Sequence, residues 1–247
     1  MAPDRPIVEV ETGFSCASVV FDVRVTNPTA RPMHDLVLRP TPVPEGASVD
    51  RARHLIPMLG PKRSKAAQFR LRPRVGQDVV ALDVTVEWED PEGAGRGRLE
   101  TSSGPVGLVL PELRAPRSEG DRWRSELRGG PAVEVRVRVP SPTERATRAI
   151  EEAASRLPGE VTSTIEEGPE GPLGTVRVRA EGAKGLRAGL LVEVAPERRR
   201  DGSRVLVVAS ATTDELLTRF YLACLAALGD VLPGMDSRVP VSLMEEP

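Results

Sequence analysis

The sequence predicts two domains in tandem: an all-β antiparallel sandwich, then an α+β platform of order β-α-β-β-β-β-α whose antiparallel sheet carries its helices on one face. Three observations predict it. Short runs alternating apolar and polar residues recur at roughly eight- to twelve-residue spacing from Ile7 to about Leu110, with no helical period between them. A charged stretch broken by Pro111, Pro116 and Gly129-Gly130-Pro131 follows. From Pro131 to Leu232 the period then changes from strand to helix, returns to strand four times, and closes on a second helix. The expected boundaries are 1–110 for the sandwich, 111–130 for a linker and 131–247 for the platform.

In the first domain, Val19, Phe21, Val23 and Val25 share one face of a strand that ends at Asn27-Pro28-Thr29, where proline cannot donate to a central ladder. Leu36-Val37-Leu38 runs into Pro40, Pro42 and Pro44. Leu55–Leu59 ends at Gly60-Pro61, and Ala67–Leu71 ends at Pro73. The longest run, Val80–Trp88, points Val80, Leu82, Val84, Val86 and Trp88 inward, and Asp90-Pro91-Glu92-Gly93 turns the chain into Gly97–Thr101. About seven or eight such strands make an immunoglobulin-like sandwich.

The linker carries Trp123 and Leu127, four residues apart, as one apolar stripe suited to docking on a neighbouring domain. In the platform, Val133, Val135, Val137 and Val139 face one way and Glu134, Arg136 and Arg138 the other. Pro140–Pro142 breaks the strand. Thr143 opens a helix to Leu157 with apolar positions at Ala146, Ala149, Ile150, Ala153 and Ala154, stopped by Pro158-Gly159. Strands follow at 160–165, 175–180, 188–194 and 204–209. A last helix, capped near Thr213-Asp214, carries Leu216, Leu217, Phe220, Tyr221, Cys224, Leu225 and Leu228 up to Gly229. In the tail, Val239, Val241 and Leu243 alternate as a further edge strand would.

Composition excludes several classes of function. The formal net charge of −2 over 247 residues does not call for nucleic acid or an acidic membrane as partner of the whole chain. No apolar run reaches the roughly 18 residues of a membrane span, and the amino terminus lacks a basic-then-apolar leader; the expected location is the cytoplasm. Cys16 and Cys224 fall in different predicted domains, so neither a disulfide framework nor a four-ligand metal site is expected. His34 and His54 have no second ligand at metal spacing. Gly182-Ala183-Lys184-Gly185 precedes a strand and reads as a hairpin turn, not a phosphate loop. Glu151-Glu152 and Glu166-Glu167 are sequence neighbours that diverge in space, unlike a catalytic pair. No cofactor, metal or catalytic residue is expected.

The order of the second half, together with Gly189–Pro196, Arg204–Ser210 and Asp214–Leu217, resembles the appendage (ear) domain of clathrin-adaptor and coatomer large subunits. That family pairs an immunoglobulin-like sandwich with a platform of the TATA-binding-protein topology. Val23-Arg-Val-Thr-Asn-Pro-Thr29 is similar to a V-x-N-x-T turn of its sandwich. The resemblance implies a non-enzymatic hub that docks short peptide motifs. It implies a pocket with aromatic residues on the first platform helix and an arginine nearby. Those positions fall near Glu151 and Ala154, and near Ala209 or Ser210, so the fold carries over and the ligand does not.

The residues themselves point to arginine. Arg136 and Arg138 on the first platform strand and Arg177 and Arg179 on the third have the parity that places them opposite the valines. Arg145 and Arg148 lie on the exposed side of the first helix, beside Glu152. Guanidinium forks suit carboxylate or phosphate groups of a protein or peptide partner, and the six arginines are the candidate partner-binding residues. The alternative is a nucleic-acid or anionic-surface binder on the same arginines. Minor-groove binding of the TATA type needs two repeats and apolar wedges, and single-strand binding needs aromatic residues the sheet strands lack. Arg198-Arg199-Arg200 reads as a solvated loop.

Overall fold

Alternation at period two dominates the chain, and in the computed structural model it becomes sheet almost throughout. The structure describes residues 5–89, 96–116, 129–197, 202–235 and 241–242. Contacts divide the chain into two compact units, Met1–Leu108 and Val109–Pro247.

The first unit holds β1 (Ile7–Ser15), β2 (Ser18–Thr26), β3 (Met33–Val43), β4 (Ser48–Val49), β5 (His54–Leu59), β6 (Ser64–Arg72), β7 (Val79–Glu89), β8 (Arg96–Ser102) and β9 (Val106–Gly107). One antiparallel sheet has the order β1-β2-β6-β4. The other is β5-β3-β7-β8, with β9 continuing along β7. Val19, Phe21, Val23 and Val25 of β2 and Phe69 and Leu71 of β6 are fully buried, as are Leu36 and Leu38 of β3 and Val80, Leu82, Val84 and Val86 of β7. Burying such β-branched and aromatic faces between two sheets is what a sandwich requires. The prolines do not stop β3: Pro40 and Pro42 pair with Val84 and Leu82 of β7, whereas β5 pairs only from Met33 to Leu38. Past Leu38 the far side of β3 carries no ladder among the described residues, so the missing N–H of proline costs nothing there.

The second unit holds β10 (Leu113–Arg114), β11 (Ala132–Val139), α1 (Thr143–Ala154), β12 (Glu160–Gly168), β13 (Gly171–Gly182), β14 (Arg187–Pro196), β15 (Ser203–Ala211), α2 (Asp214–Leu228) and β16 (Val241–Ser242). Its antiparallel sheet has the order β10-β13-β14-β15-β11-β16, with β12 also paired to β13. Two short segments extend this sheet, the first of them outside the expected outline. Leu113–Arg114, placed in the linker by composition, pairs with Glu181 and Gly182 at the end of β13. Val241–Ser242 pairs with Val133 and Glu134 on the outer side of β11. Leu113–Arg114 is too short to show a period, so only pairing reveals it, whereas Val241 belongs to the alternating tail in which an edge strand is expected; Val239 and Leu243 lie outside the described residues. Trp123 and Leu127, Asp90–Gly93 and Arg198–Arg200 lie outside the described residues.

One face of this sheet is a layer of small aliphatic side chains: the four valines of β11, Val176, Val178 and Ala180 of β13, Leu190, Val192 and Val194 of β14, and Val205, Val207 and Ala209 of β15, each at most 6% exposed. Both helices pack on it and touch one another. Helix α1 starts one residue differently from the expectation. Pro142 takes the cap position with no side-chain capping bond, its carbonyl accepting from Ala146 N–H, and Thr143 is already helical. Its hydroxyl lies inside, 3.4 Å from Ser203 Oγ. The helix ends at Ala154, and Arg156 and Leu157 follow in a tighter turn bonded to Ala153 and Ala154. Helix α2 is capped as its sequence indicates, the Thr213 hydroxyl accepting from Leu216 N–H at 3.2 Å. No helix among the described residues is long and apolar enough to cross a membrane.

Candidate functional site: the open face of the second sheet

With both helices on the valine face, the opposite face of the sheet presents every second residue outward. Ladder registers set its layout. Across β13, β14, β15 and β11 one row reads Arg179, Gly189, Ser210, Ala132, and the next reads Arg177, Leu191, Val208, Glu134. The third is Thr175, Glu193, Leu206, Arg136; the last brings Arg204 opposite Arg138, with Ala195 beside Arg204. The face therefore has an apolar middle of half-buried Leu191, Leu206 and Val208, with arginines at two opposite corners.

Four of the sequence-selected arginines lie on this face, but not as one patch. Two strands, β14 and β15, separate Arg136 and Arg138 from Arg177 and Arg179, which is ~14 Å at the usual inter-strand spacing. Arg145 and Arg148 lie elsewhere. Helix α1 buries Ala146, Thr147, Ile150, Ala153 and Ala154 toward the valine layer, so its exposed arginines sit on the far surface of the unit. The exposed side of α1 and the arginine face of the sheet are two separate surfaces: the amphipathic helix and the amphipathic sheet meet by their apolar sides, which drives their polar sides apart. Of the positions that would correspond to an aromatic pocket, Ala154 and Ala209 are fully buried, and Glu151 and Ser210 are half-buried.

The β11 corner is the more developed of the two. Arg136, Arg138, Arg204, Glu193, Leu206 and Ala195 line an open concavity of about 630 Å³. Arg136 Nε lies 2.7 Å from Glu134 and Arg138 Nε 3.5 Å from Glu197, yet the arginine side chains stay 78% and 70% exposed. Pairs that open to water hold weakly and exchange partners readily. Arg204, also exposed, has no ion partner among the described residues and stands directly opposite Arg138 in the β11–β15 ladder. Like charges at directly opposed positions cost stability. At the other corner, Arg179 is ion-paired to Glu160 on β12 and is only 22% exposed, which leaves Arg177 as the exposed cation there.

Sequence reasoning missed Arg204 as part of the group. The run Arg204–Ala211 is apolar on both faces from Val205 to Ala209, so periodicity does not show which way Arg204 points. Its pairing with β11 decides that. In the first unit, a second shallow depression over β3, β7 and β8 is lined by Asp83, Thr85, Arg98 and Glu100, where Arg98 and Glu100 neutralise one another at 2.6 Å.

No protein-family model matches the chain, and no curated protein sequence does. Among solved structures, it is similar to native alpha-2-macroglobulin from Escherichia coli, spanning domain MG7 to the C-terminus, at 13% identity and a TM-score of 0.30 over 62% of this chain and 26% of that one. It is also similar to a GH20 exo-β-N-acetylglucosaminidase from Vibrio harveyi in complex with N-acetylglucosamine, at 9% identity and a TM-score of 0.25 over 84% of this chain and 40% of that one. The chain thus spans well under half the length of either structure. Likenesses this distant leave the geometry of the site as the ground for a functional reading.

Proposed function

We propose that the chain is a non-enzymatic protein-interaction module resembling an adaptor appendage, with an immunoglobulin-like sandwich in its first unit and a platform of the TATA-binding-protein topology in its second. The order strand, helix, four strands, helix in the second unit supports the platform reading. The open sheet face is the docking surface, and its ligand is a short peptide segment carrying carboxylates.

The observation that carries this reading is the opposition of Arg138 and Arg204. Two cations face one another across a ladder, at a cost to the sheet, above an apolar floor of Leu206 and Ala195. A ligand carboxylate placed between them relieves the repulsion and gains charge-assisted hydrogen bonds. Glu134, Glu193 and Glu197 lie among these arginines, which weighs against a polyanion such as nucleic acid, whose phosphates would meet them.

The test is selection of the purified chain against a library of disordered-region peptides at low and high salt. The module reading expects a recurrent motif with acidic and apolar positions whose capture survives high salt, and whose binding Arg204→Glu reduces by about tenfold or more. Retention of acidic sequences only at low salt, with a steep salt dependence and no motif, would move the assignment to an anionic-surface binder.

A further inference from the structure

Strand β12 forms one border of the second unit's sheet. It pairs with β13 without a break from Glu160 to Gly168, and among the described residues no strand pairs with its other side. That border is open to solvent: Thr162, Thr164, Ile165, Glu166 and Glu167 are all exposed, on both faces of the strand. Strand edges are ordinarily blunted by proline, lysine or a bulge. The run from Glu160 to Glu167 has none of these and is rich in the β-branched residues that favour pairing, Val161, Thr162, Thr164 and Ile165. Its charges are all acidic, so register decides whether another strand is repelled.

We infer that this border pairs with the same border of a second copy of the chain, antiparallel, joining the two sheets across a twofold axis at Thr164. The inference goes beyond the interaction-module reading and does not depend on it. Such an interface is isologous, so each residue must tolerate its counterpart from the same strand.

Charge selects both the occupant and the register. Glu160 is already paired with Arg179. On the open face Arg177 stands beside Thr162, exposed and without an ion partner among the described residues, and Glu166 lies on the same face farther along β12. When β12 pairs along its full length, Thr164 meets itself and Glu166 falls opposite Thr162 of the second copy. That copy's Arg177 is then the next residue in the row, ~10 Å away by strand spacing, a gap that glutamate and arginine side chains span over a threonine. The twofold makes this contact twice. Glu160 falls opposite Gly168 and Glu167 opposite Val161, so no acid faces an acid. Moving the axis to Ser163 sets Glu160 against Glu166, and moving it to Glu166 or Glu167 sets an acid against itself, which costs stability. At Ile165 the axis takes Glu166 out of line with Arg177.

The apolar residues agree with the same register. Ile165, 42% exposed, lies on the helix side of the sheet, opposite Gly174 of β13. With the axis at Thr164 it faces Ser163 of the second copy and is diagonal to that copy's Ile165, within reach across a ladder, so the two cover one another. Helix α1, which packs against β12, adds charges of both signs, Glu144, Arg148 and Glu151. Glu167 stands near the end of the shared ladder and Glu170 beyond it, in the turn. A basic peptide would suit Glu166 and Glu167 but bring like charge toward Arg177. A second copy supplies an acid and a cation at matching places.

The test is sedimentation velocity of the full chain across a concentration series, with hydrogen exchange on the same samples. The expected result is a reversible dimer whose formation protects amides of β12. Thr164→Lys puts two ammonium groups on the axis and should raise the dimer Kd by about tenfold or more, with the thermal midpoint of the dilute chain retained because Thr164 is exposed. Glu166→Arg and Arg177→Glu should each weaken the dimer, and the two together should recover it, since the pair is restored with its signs exchanged.

A monomer at every concentration overturns the inference. A dimer indifferent to Thr164→Lys, or one whose formation leaves exchange from β12 unchanged, overturns the choice of border. A double variant no tighter than either single one overturns the register.

Discussion

The side-chain amide of Asn27 donates to the main-chain oxygen of Leu59 at 3.0 Å, tying the end of β2 in one sheet of the first unit to the end of β5 in the other. The same amide donates to Arg31 O at 2.7 Å, and its oxygen accepts from the N–H and hydroxyl of Thr29 at 2.9 and 2.8 Å. Asn27 is fully buried, so these four bonds replace the water it has lost. Asn27→Ala should cost about 2–3 kcal/mol by stranding buried donors and acceptors. Asn27→Asp should cost more, because it turns a negative oxygen toward two carbonyls. Urea unfolding followed by circular dichroism checks both.

Gly174 of β13 lies beneath Thr147 of α1, so closely that a Cβ there would come within 1.9 Å of Thr147 Oγ1 and 3.0 Å of its Cγ2. The absent side chain lets the helix sit down on the valine layer, and Thr147 bonds its hydroxyl back to Thr143 O at 2.7 Å. Gly174→Ala should destabilise by about 1–3 kcal/mol through overpacking. Thr147→Ala in that background should recover part of the loss, a coupling read from a double-mutant cycle.

Arg204 sets stability against binding. Replacing it by glutamate puts opposite charges across the ladder from Arg138, which should stabilise by about 0.5–1 kcal/mol. Peptide capture should fall in the same variant. A variant that is both more stable and less able to bind is expected of a cation kept for its ligand, whereas a purely structural Arg204 would lose stability on substitution.

The two thiols should separate by reactivity. Burial raises the Cys224 pKa far above its ordinary value, so its thiol stays protonated and enclosed in α2. Cys16 lies half-buried in the β1–β2 hairpin. Iodoacetamide with mass-spectrometric readout should label Cys16 in the native chain and Cys224 only after unfolding.

Much of the architecture was written in local pattern. Val80 to Trp88 and Val133 to Val139 alternate, as does Val19 to Val25 apart from the buried Val20, and each inward set is buried as its parity demands. The cap at Thr213 and the turn at 182–185 follow from side-chain and backbone chemistry within a few residues. A segment of two residues carries no period, which is why β10 emerges only from pairing, whereas β16 lies in the alternating tail. Prolines mislead where one side of a strand is unpaired, as in β3.

The candidate site divides along the same line. Sequence parity by itself determined that Arg136, Arg138, Arg177 and Arg179 face away from the valines, because alternation in a strand is a local property of the backbone. Only the tertiary structure decided which of them are neighbours. Strand order put β14 and β15 between the two pairs, set Arg204 against Arg138, and sent Arg145 and Arg148 to the opposite surface. Those distances come from long-range pairing and from the burial of one apolar layer against another, and no window of sequence contains them.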